Sequence, residues 1–488
     1  MRSPKVFSNK ISIRVGLAGK KLLSLIMKIT SNQIKIIVLA LVLFGTVMQA
    51  KAQLPTETPA QKGQRLQWWT DARFGMFIHW GLYALPARHE WVKNAEYLSN
   101  DDYQKYFENF NPDLYSPDEW ALQAKNAGMK YVVLTTKHHE GFCLWDSKYT
   151  DYKATNTPAK KDLVRLYVDA FRKQGIKIGF YYSLIDWHHP DFTVDDVHPM
   201  RKNEAEKTKN TDRDMKKYQA YMKNQLTELL TNYGQIDELF LDFSYPRKDG
   251  SGKGHADWDS ENLLKLVRKL QPQIIVNDRL DLANVPGGWD YKTPEQFMPQ
   301  TWPTVNGVKV PWETCQTFSG SWGYYRDEYS WKSIDQLVVM LIETVSKGGN
   351  LLLNVGPTAR GMFDERATDR LNGIGEWMKY NNRSIYGCTQ APEQFAKPDN
   401  CLLTYNPTTN RLYIHVLQWP FKSLYLKNYG DKIKYVQLLK DGSEIKFKTN
   451  VAAGGHTNET TAGENDVLLS LPVSKPNTAI PVIEVVLK

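Results

Sequence analysis

I-D-E-L-F-L-D-F-S-Y, residues Ile236 to Tyr245, is the stretch whose reading decides the fold. Ile236, Leu239, Phe240 and Leu241 form a short apolar run after the helix-stop pair Tyr233-Gly234. That is the pattern of a barrel-interior strand whose last residues emerge at the C-terminal rim, and it delivers the carboxylate of Asp242 there. An Asp in this place equally suits a loop start or a helix cap. The other strand ends have to decide.

They repeat the pattern. Arg73 to Gly81 reads as a first strand ending in His79 and Trp80, and Lys130 to Thr136 as a strand ending in Lys137-His-His-Glu-Gly141. Ile176 to Tyr182 ends in Ser183 to Trp187, Gln273 to Val276 in Asn277-Asp-Arg279, and Asn350 to Leu353 in Asn354 to Pro357. A helix over about Asp212 to Asn232 carries Tyr218, Met222, Leu226 and Leu229 on one face. This alternation predicts an α/β fold, a (β/α)8-type, TIM-like barrel over residues 53–384. The alternative is an open doubly wound sheet, weakened by the lack of a Gly-rich phosphate fingerprint after the first strand. From 385 to 488, Leu402–Tyr405, Leu412–Val416, Leu424–Leu426, Tyr435–Leu439, Val467–Leu471 and Ile483–Leu487 read as short strands between turns, a C-terminal antiparallel β-sandwich. His189 to Thr211, charged and aperiodic, is expected as a long surface loop at the barrel mouth.

The formal net charge is +9, from 62 Lys and Arg against 53 Asp and Glu. Nine of those bases and no acid lie in residues 1–52, leaving a near-neutral remainder that argues against nucleic-acid or membrane partners. Residues 1–52 read as an export signal: Lys28 and Lys35, the apolar run Ile36 to Val47, then Ala50-Lys51-Ala52 before Gln53, with Met27 as a possible true start. The run is too short for a bilayer, which takes about 20 residues. The expected location is the periplasm or outside the cell. Leu54 to Lys62 reads as a polar linker, and the fold is expected to start in a helix at Gln64 to Trp69. With only Cys143, Cys315, Cys388 and Cys401, one bridge at most is expected; Cys388 and Cys401 are the candidate pair, four buried thiols the alternative.

A barrel would gather His79, Trp80, His138, His139, Glu140, Trp145, Tyr182, Trp187, Asp242 and Arg279 around one rim. Imidazoles, an arginine and aromatic faces around carboxylates suit a sugar, whose hydroxyls take directional hydrogen bonds and whose C–H faces stack on rings. A metal is not expected. Adjacent side chains on an extended segment point opposite ways, which separates His138 from His139, and no H-x-H or H-E-x-x-H spacing occurs. His188, His189, His255 and His456 read as solvated, as does Arg247-Lys248-Asp249.

The motifs F-I-H-W-G (77–81), E-W (90–91), K-H-H-E-G-F (137–142), Y-Y-S-x-x-D-W (181–187), L-F-L-D (239–242), N-D-R (277–279), W-D-Y-K-T-P-E (289–295) and S-W-G-Y (321–324) together resemble the α-L-fucosidases of glycoside hydrolase family 29. The resemblance implies a cofactor-free, exo-acting, retaining enzyme that removes terminal α-L-fucose from fucosylated oligosaccharides or glycoconjugates. By it, Asp242 is the nucleophile; His79, His138, His139, Tyr182 and Arg279 hold fucose hydroxyls; Trp91 and Trp322 are pocket walls; Glu90 is a further polar contact. The family often has Trp where this chain has Phe240, which lacks the indole N–H. Glu295 matches the acid/base. Glu313 competes, its other reading being a strand-end carboxylate that pairs an Arg or Lys. A retaining mechanism asks for carboxyls about 5 to 5.5 Å apart, one ionised and one protonated, the latter favoured by partial burial. The alternatives are a catalytically silent fucose-binding protein on the same fold and a glycosidase for a related sugar such as galactose. The sandwich is expected to cover the barrel rather than bind glycan. Sequence leaves linkage preference and oligomeric state open.

Overall fold

A computed structural model describes residues 57–249, 251–449, 463 and 465–488. The expected export signal (1–52), the start of the linker and His456 lie outside the described residues. No helix among the described residues is long and apolar enough to cross a membrane.

The linker is shorter than expected. Helix α1 (Pro59–Ala72) starts inside it, because Thr58 and Gln61 form a reciprocal capping box and Pro59 holds the first turn. Seven parallel strands follow: β1 (Phe74–Ile78), β2 (Tyr131–Lys137), β3 (Lys177–Ser183), β4 (Glu238–Asp242), β5 (Ile275–Val276), β6 (Glu313–Thr317) and β7 (Asn350–Val355). Their order is β5-β4-β3-β2-β1-β7-β6. Between them run α2 (Pro117–Asn126), α3 (Leu163–Lys173), α4 (Met215–Asn232), α5 (Ser260–Leu270) and α6 (Ile334–Ser346), with α7 (Glu365–Asn381) after β7. Every residue of β1, β2, β4, β6 and β7 is buried, as strands covered on both faces must be.

The eighth position is not a regular strand. Tyr291 to Glu295 bridges β5 on one side (Asn277 to Tyr291) and β6 on the other (Lys292 to Trp312, Glu295 to Cys315), all parallel, and so closes the ring. No helix separates β5 from this segment. Side-chain alternation then sorts the interior into levels. On β4, Glu238 faces the floor, Phe240 the middle and Asp242 the rim; on β6, Glu313 lies at the floor and Cys315 in the middle. Helix α1 plugs the floor, where Trp69 Nε1 donates to Glu313 Oε2 at 3.2 Å and its ring packs on Tyr291.

Beyond α7, a five-stranded antiparallel sheet (Thr389–Gln390, Cys401–Asn406, Arg411–Val416, Val482–Leu487, Ile433–Leu438) faces a three-stranded one (Ser423–Leu426, Val467–Ser470, Phe447–Thr449). Leu412, Ile414, Leu426, Val467 and Val485 fill the space between. The buried Arg73 guanidinium ties this region to the barrel, donating to the carbonyls of Cys388 and Gly348 at 2.7 Å each.

One alternative is decided here and one expectation fails. Cys388 and Cys401 are not bridged; all four cysteines are free and buried, packing as small apolar side chains. His189 to Thr211 is not simply a surface loop, since Phe192, Val194 and His198 are buried and Glu204–Thr208 is helical.

Candidate active site

The rim is built from strand ends held in register by side chains. Asn277, just past β5, replaces the missing ladder: its Oδ1 accepts from Leu241 N at 3.1 Å and its Nδ2 donates to Leu241 O at 2.8 Å. That brings Arg279 beside Asp242, where Nη1 reaches Oδ1 at 2.7 Å. Tyr181, paired in register with Phe240 and therefore on the same inner face, donates from Oη to the other oxygen, Oδ2, at 2.8 Å. Burial opposes the charge on Asp242, but Arg279, helped by the Tyr181 hydroxyl, outweighs it and holds the carboxyl below the ordinary range. Asp242 is an ionised group in an 8% exposed position.

The same Nη1 of Arg279 also lies 2.7 Å from Glu295 Oε2. Two oxygens each 2.7 Å from one nitrogen are at most twice that apart, 5.4 Å. Thr293 fixes the guanidinium plane, its Oγ1 and O accepting from Nε and Nη2 at 3.0 and 3.2 Å. The residue after each carboxylate has left-handed backbone, φ 83° at Phe243 and 52° at Gln296, so the chain turns sharply away from both.

Three imidazoles line the pocket, and burial above all depresses their pKa values, to about 3 for His79 and about 4 for His139, with His138 well below the usual value. They are neutral at pH 7. Their partners assign two tautomers. Asn354 Oδ1 only accepts, so His79 Nδ1, 2.6 Å away, carries the hydrogen; Asn354 Nδ2 donates to Trp322 O, which fixes the amide orientation. Ser183 Oγ gives its hydrogen to Ile185 O at 2.7 Å, so His139 Nδ1 donates to it, also at 2.7 Å. In both rings Nε2 keeps its lone pair. Trp91 packs against His139 and Phe243, and Trp322 against His79 and Phe77. Buried Glu90 ties the two indole-bearing loops together by accepting from Gly323 N at 2.9 Å. The pocket opens to solvent on one side and encloses about 80 Å³, room for a single small polar ligand rather than a polymer.

Asp242, Glu295, His79, Glu90, Trp91, His138, His139, Arg279 and Trp322 thus share one pocket. Tyr182 does not. It points outward from β3, and its Oη donates to Gln225 of α4 at 2.8 Å; the inward residue is Tyr181, which the period of two along the strand could have given. His138 and His139 do not point apart, because β2 ends at Lys137 and the following turn brings their ring centroids to 4.0 Å. Among the described residues no group of three or more His, Cys, Asp or Glu is arranged to hold a metal. Trp80, Trp145 and Trp187 lie outside the pocket, Trp80 packed on Trp120 and Trp145 bonded to Glu228. Among the described residues Glu313 pairs no Arg or Lys: it is a floor residue that accepts from Trp69 and Tyr131. Glu295 belongs to the eighth barrel position, and with its side chain 42% exposed the protein alone does not bury it. His188 is half-buried and stacks on Tyr152 at 3.8 Å, and His189 is half-buried against Tyr221; neither is solvated as expected. Asn277, Thr293 and Asn354 do their work by orienting others, and no motif announced them.

A pair of closely set carboxyls in a sugar-sized pocket at the C-terminal rim of a (β/α)8-type barrel is equipment for breaking a glycosidic bond, and fold and site together define a glycoside hydrolase. Comparison with known proteins narrows the class. The Alpha-L-fucosidase family model matches residues 41–383, and the chain belongs to that family, glycoside hydrolase family 29. Plasma alpha-L-fucosidase of Homo sapiens is 30% identical over 450 residues, 86% of this chain and 88% of that protein. Among solved structures, alpha-L-fucosidase isoenzyme 1 from Paenibacillus thiaminolyticus is similar with TM-score 0.81 and 44% identity, covering 88% of this chain and 99% of that one. A family 29 fucosidase from Bacteroides thetaiotaomicron, trapped as a covalent intermediate with 2-fluoro-fucosyl fluoride, is similar with TM-score 0.73 and 29% identity, covering 87% and 96%. The enzyme is an α-L-fucosidase, and its substrate class is fucosylated glycans.

Proposed function

We propose that the enzyme is exo-acting and retaining, and releases terminal α-L-fucose by double displacement. The observation that carries this is the shared Arg279 Nη1, which keeps Asp242 Oδ1 and Glu295 Oε2 within 5.4 Å of each other. That span leaves no room for the water an inverting enzyme keeps between its carboxyls, which needs about 6.5 to 9.5 Å.

Asp242 is the nucleophile. Its charge, maintained against burial by Arg279 and the Tyr181 hydroxyl, attacks the anomeric carbon while Glu295 gives a proton to the departing oxygen. Ester formation consumes the Asp242 charge, and Glu295, now a carboxylate, takes a proton from the water that attacks the same carbon. Both displacements invert, so the configuration is kept. His79 and His139 accept from fucose hydroxyls through Nε2; Arg279, Glu90 and Tyr181, in place of Tyr182, complete the polar contacts; Trp91 and Trp322 cover the apolar faces. Glu313 is at the wrong end of the barrel to serve as the acid. The leaving sugar covers the exposed side of Glu295.

We further propose export to the periplasm or beyond, with the mature chain beginning at Gln53; the intact mass of protein from its native host tests that. Proton NMR of the first-formed product tests the mechanism. α-L-Fucose appearing before mutarotation is expected, and β-L-fucose appearing first would refute double displacement.

A further inference from the structure

Glu140 enters no step above, yet it lies directly behind the pocket. It is 1% exposed, and among the described residues no side chain hydrogen-bonds to either carboxyl oxygen; only the backbone N–H groups of Leu82 and of Glu140 itself approach it. His138 Nδ1 is likewise unpartnered and stands 3.9 Å from Glu140 Oε2. A buried carboxyl without a side-chain partner and an unpartnered imidazole nitrogen facing each other are costly apart and satisfy each other when paired. The carboxyl is also confined, since a Cβ on Gly81 would stand 2.7 Å from Oε1. Lys93, Asp186 and the hydroxyls of Tyr83, Tyr103 and Tyr152 are the other ionisable groups around it.

His79 and His139 are fixed as Nδ1–H tautomers, so both present an acceptor. A sugar hydroxyl both donates and accepts, and a pocket whose imidazoles only accept leaves the hydroxyl oxygens short of donors. His138 is the one ring whose tautomer its other neighbours leave open.

Resting on the fucose-binding reading of this pocket, we propose that Glu140 is a positioning residue. As a neutral carboxylic acid it donates to His138 Nδ1 and sets the Nε2–H tautomer, making His138 the imidazole that donates to a fucose hydroxyl. The proton stays on Glu140 throughout, and the 3.9 Å gap closes when sugar seats against the ring, as hydrogen bonds in empty sites often tighten on binding. Burial, opposed by Lys93, holds the Glu140 carboxyl up at about 8, in keeping with a neutral acid at pH 7.

The test combines Glu140→Gln, Glu140→Ala and the wild-type enzyme, with nitrogen-15 spectra of the His138 ring, steady-state kinetics on an aryl α-L-fucoside and fucose calorimetry. Nε2–H is expected for His138 in the wild type and in Glu140→Gln, whose amide still donates. KM for Glu140→Gln should stay within about threefold, while Glu140→Ala raises KM about tenfold or more with a smaller change in kcat. Wild-type KM should climb above about pH 8 and that of Glu140→Gln should not. An Nδ1–H tautomer in the wild type, or Glu140→Gln as impaired as Glu140→Ala, overturns the proposal. The ring spectra of the wild type decide the pairing even if Glu140→Ala fails to fold. Absence of fucoside binding by the wild type would instead sink the pocket assignment, and the tautomer would still judge Glu140.

Discussion

Tyr181 Oη donates to Asp242 Oδ2 at 2.8 Å, whereas its chain neighbour Tyr182 turns its hydroxyl to Gln225 on the outside of the barrel. A hydrogen bond to an ionised group contributes about 1.5–3 kcal/mol, so Tyr181→Phe should lower kcat/KM about 10- to 100-fold. Tyr182→Phe should leave kcat/KM within about threefold and cost about 1 kcal/mol of stability. Equal kinetic losses in the two variants would contradict the face assignment.

Arg279 holds both carboxylates through one nitrogen. A lysine supplies charge but not the planar fork that Thr293 orients, and Arg279→Lys should lose about 100-fold or more in kcat/KM. The sign of the pH effect follows from Asp242. Its carboxyl is held down chiefly by Arg279, so weakening Arg279 raises it, and the acid limb of the kcat/KM profile should shift to higher pH. An unmoved acid limb in the variant would count against Asp242 as the ionised nucleophile.

Glu295 and Glu313 lie at opposite ends of one barrel interior. Azide should restore turnover of an activated aryl fucoside to Glu295→Ala, giving a fucosyl azide, and do nothing for Glu313→Ala, whose loss is of stability. Rescue of the Glu313 variant alone would exchange the roles.

Glu238 and Glu313 meet at the floor, both buried, each with one oxygen unpartnered. Burial pushes both carboxyls up, Glu313 the further because Glu238 stands beside it, so the pair holds on to a proton well above the ordinary carboxylate range. A group raised in the folded state stabilises fully below its unfolded pKa and loses that contribution as pH rises through the folded one. The unfolding free energy of Glu238→Gln minus that of the wild type should therefore grow from about pH 5 to about pH 7, by no more than about 1.4 kcal/mol per pH unit. Urea titrations at several pH values measure it. The buried neutral imidazoles have the opposite dependence, but they are common to both proteins and cancel in the difference. A flat difference would mean the Glu238 carboxyl is already ionised in the native protein.

With all four thiols free and buried, reductant should leave Tm unchanged, and a thiol reagent should find four groups after denaturation and essentially none before. A reductant-sensitive Tm would point to the Cys388–Cys401 bridge after all.

Much of the fold is legible in the sequence because covered parallel strands leave a simple trace: an apolar run followed by chemistry, as in Leu239 to Asp242. The misses share a cause. Runs such as G-F-Y-Y-S, Gly179 to Ser183, are buried on both faces, so hydropathy cannot say which tyrosine points inward; only registry with Phe240 does. Extending β2 one residue past Lys137 sends His138 and His139 to opposite sides, whereas the turn that starts there sets their rings together. The eighth barrel position is invisible locally because Tyr291 to Glu295 is polar and carries a proline, and its place comes from long-range bridges rather than local propensity.

That position joins its neighbours by isolated bridges while the strand bearing Asp242 sits in a continuous ladder. The two carboxyls therefore rest on lengths of backbone held with unequal firmness. A shift in the connection after β5 would move Glu295 and Thr293 together while Asp242 keeps its registration in the ladder.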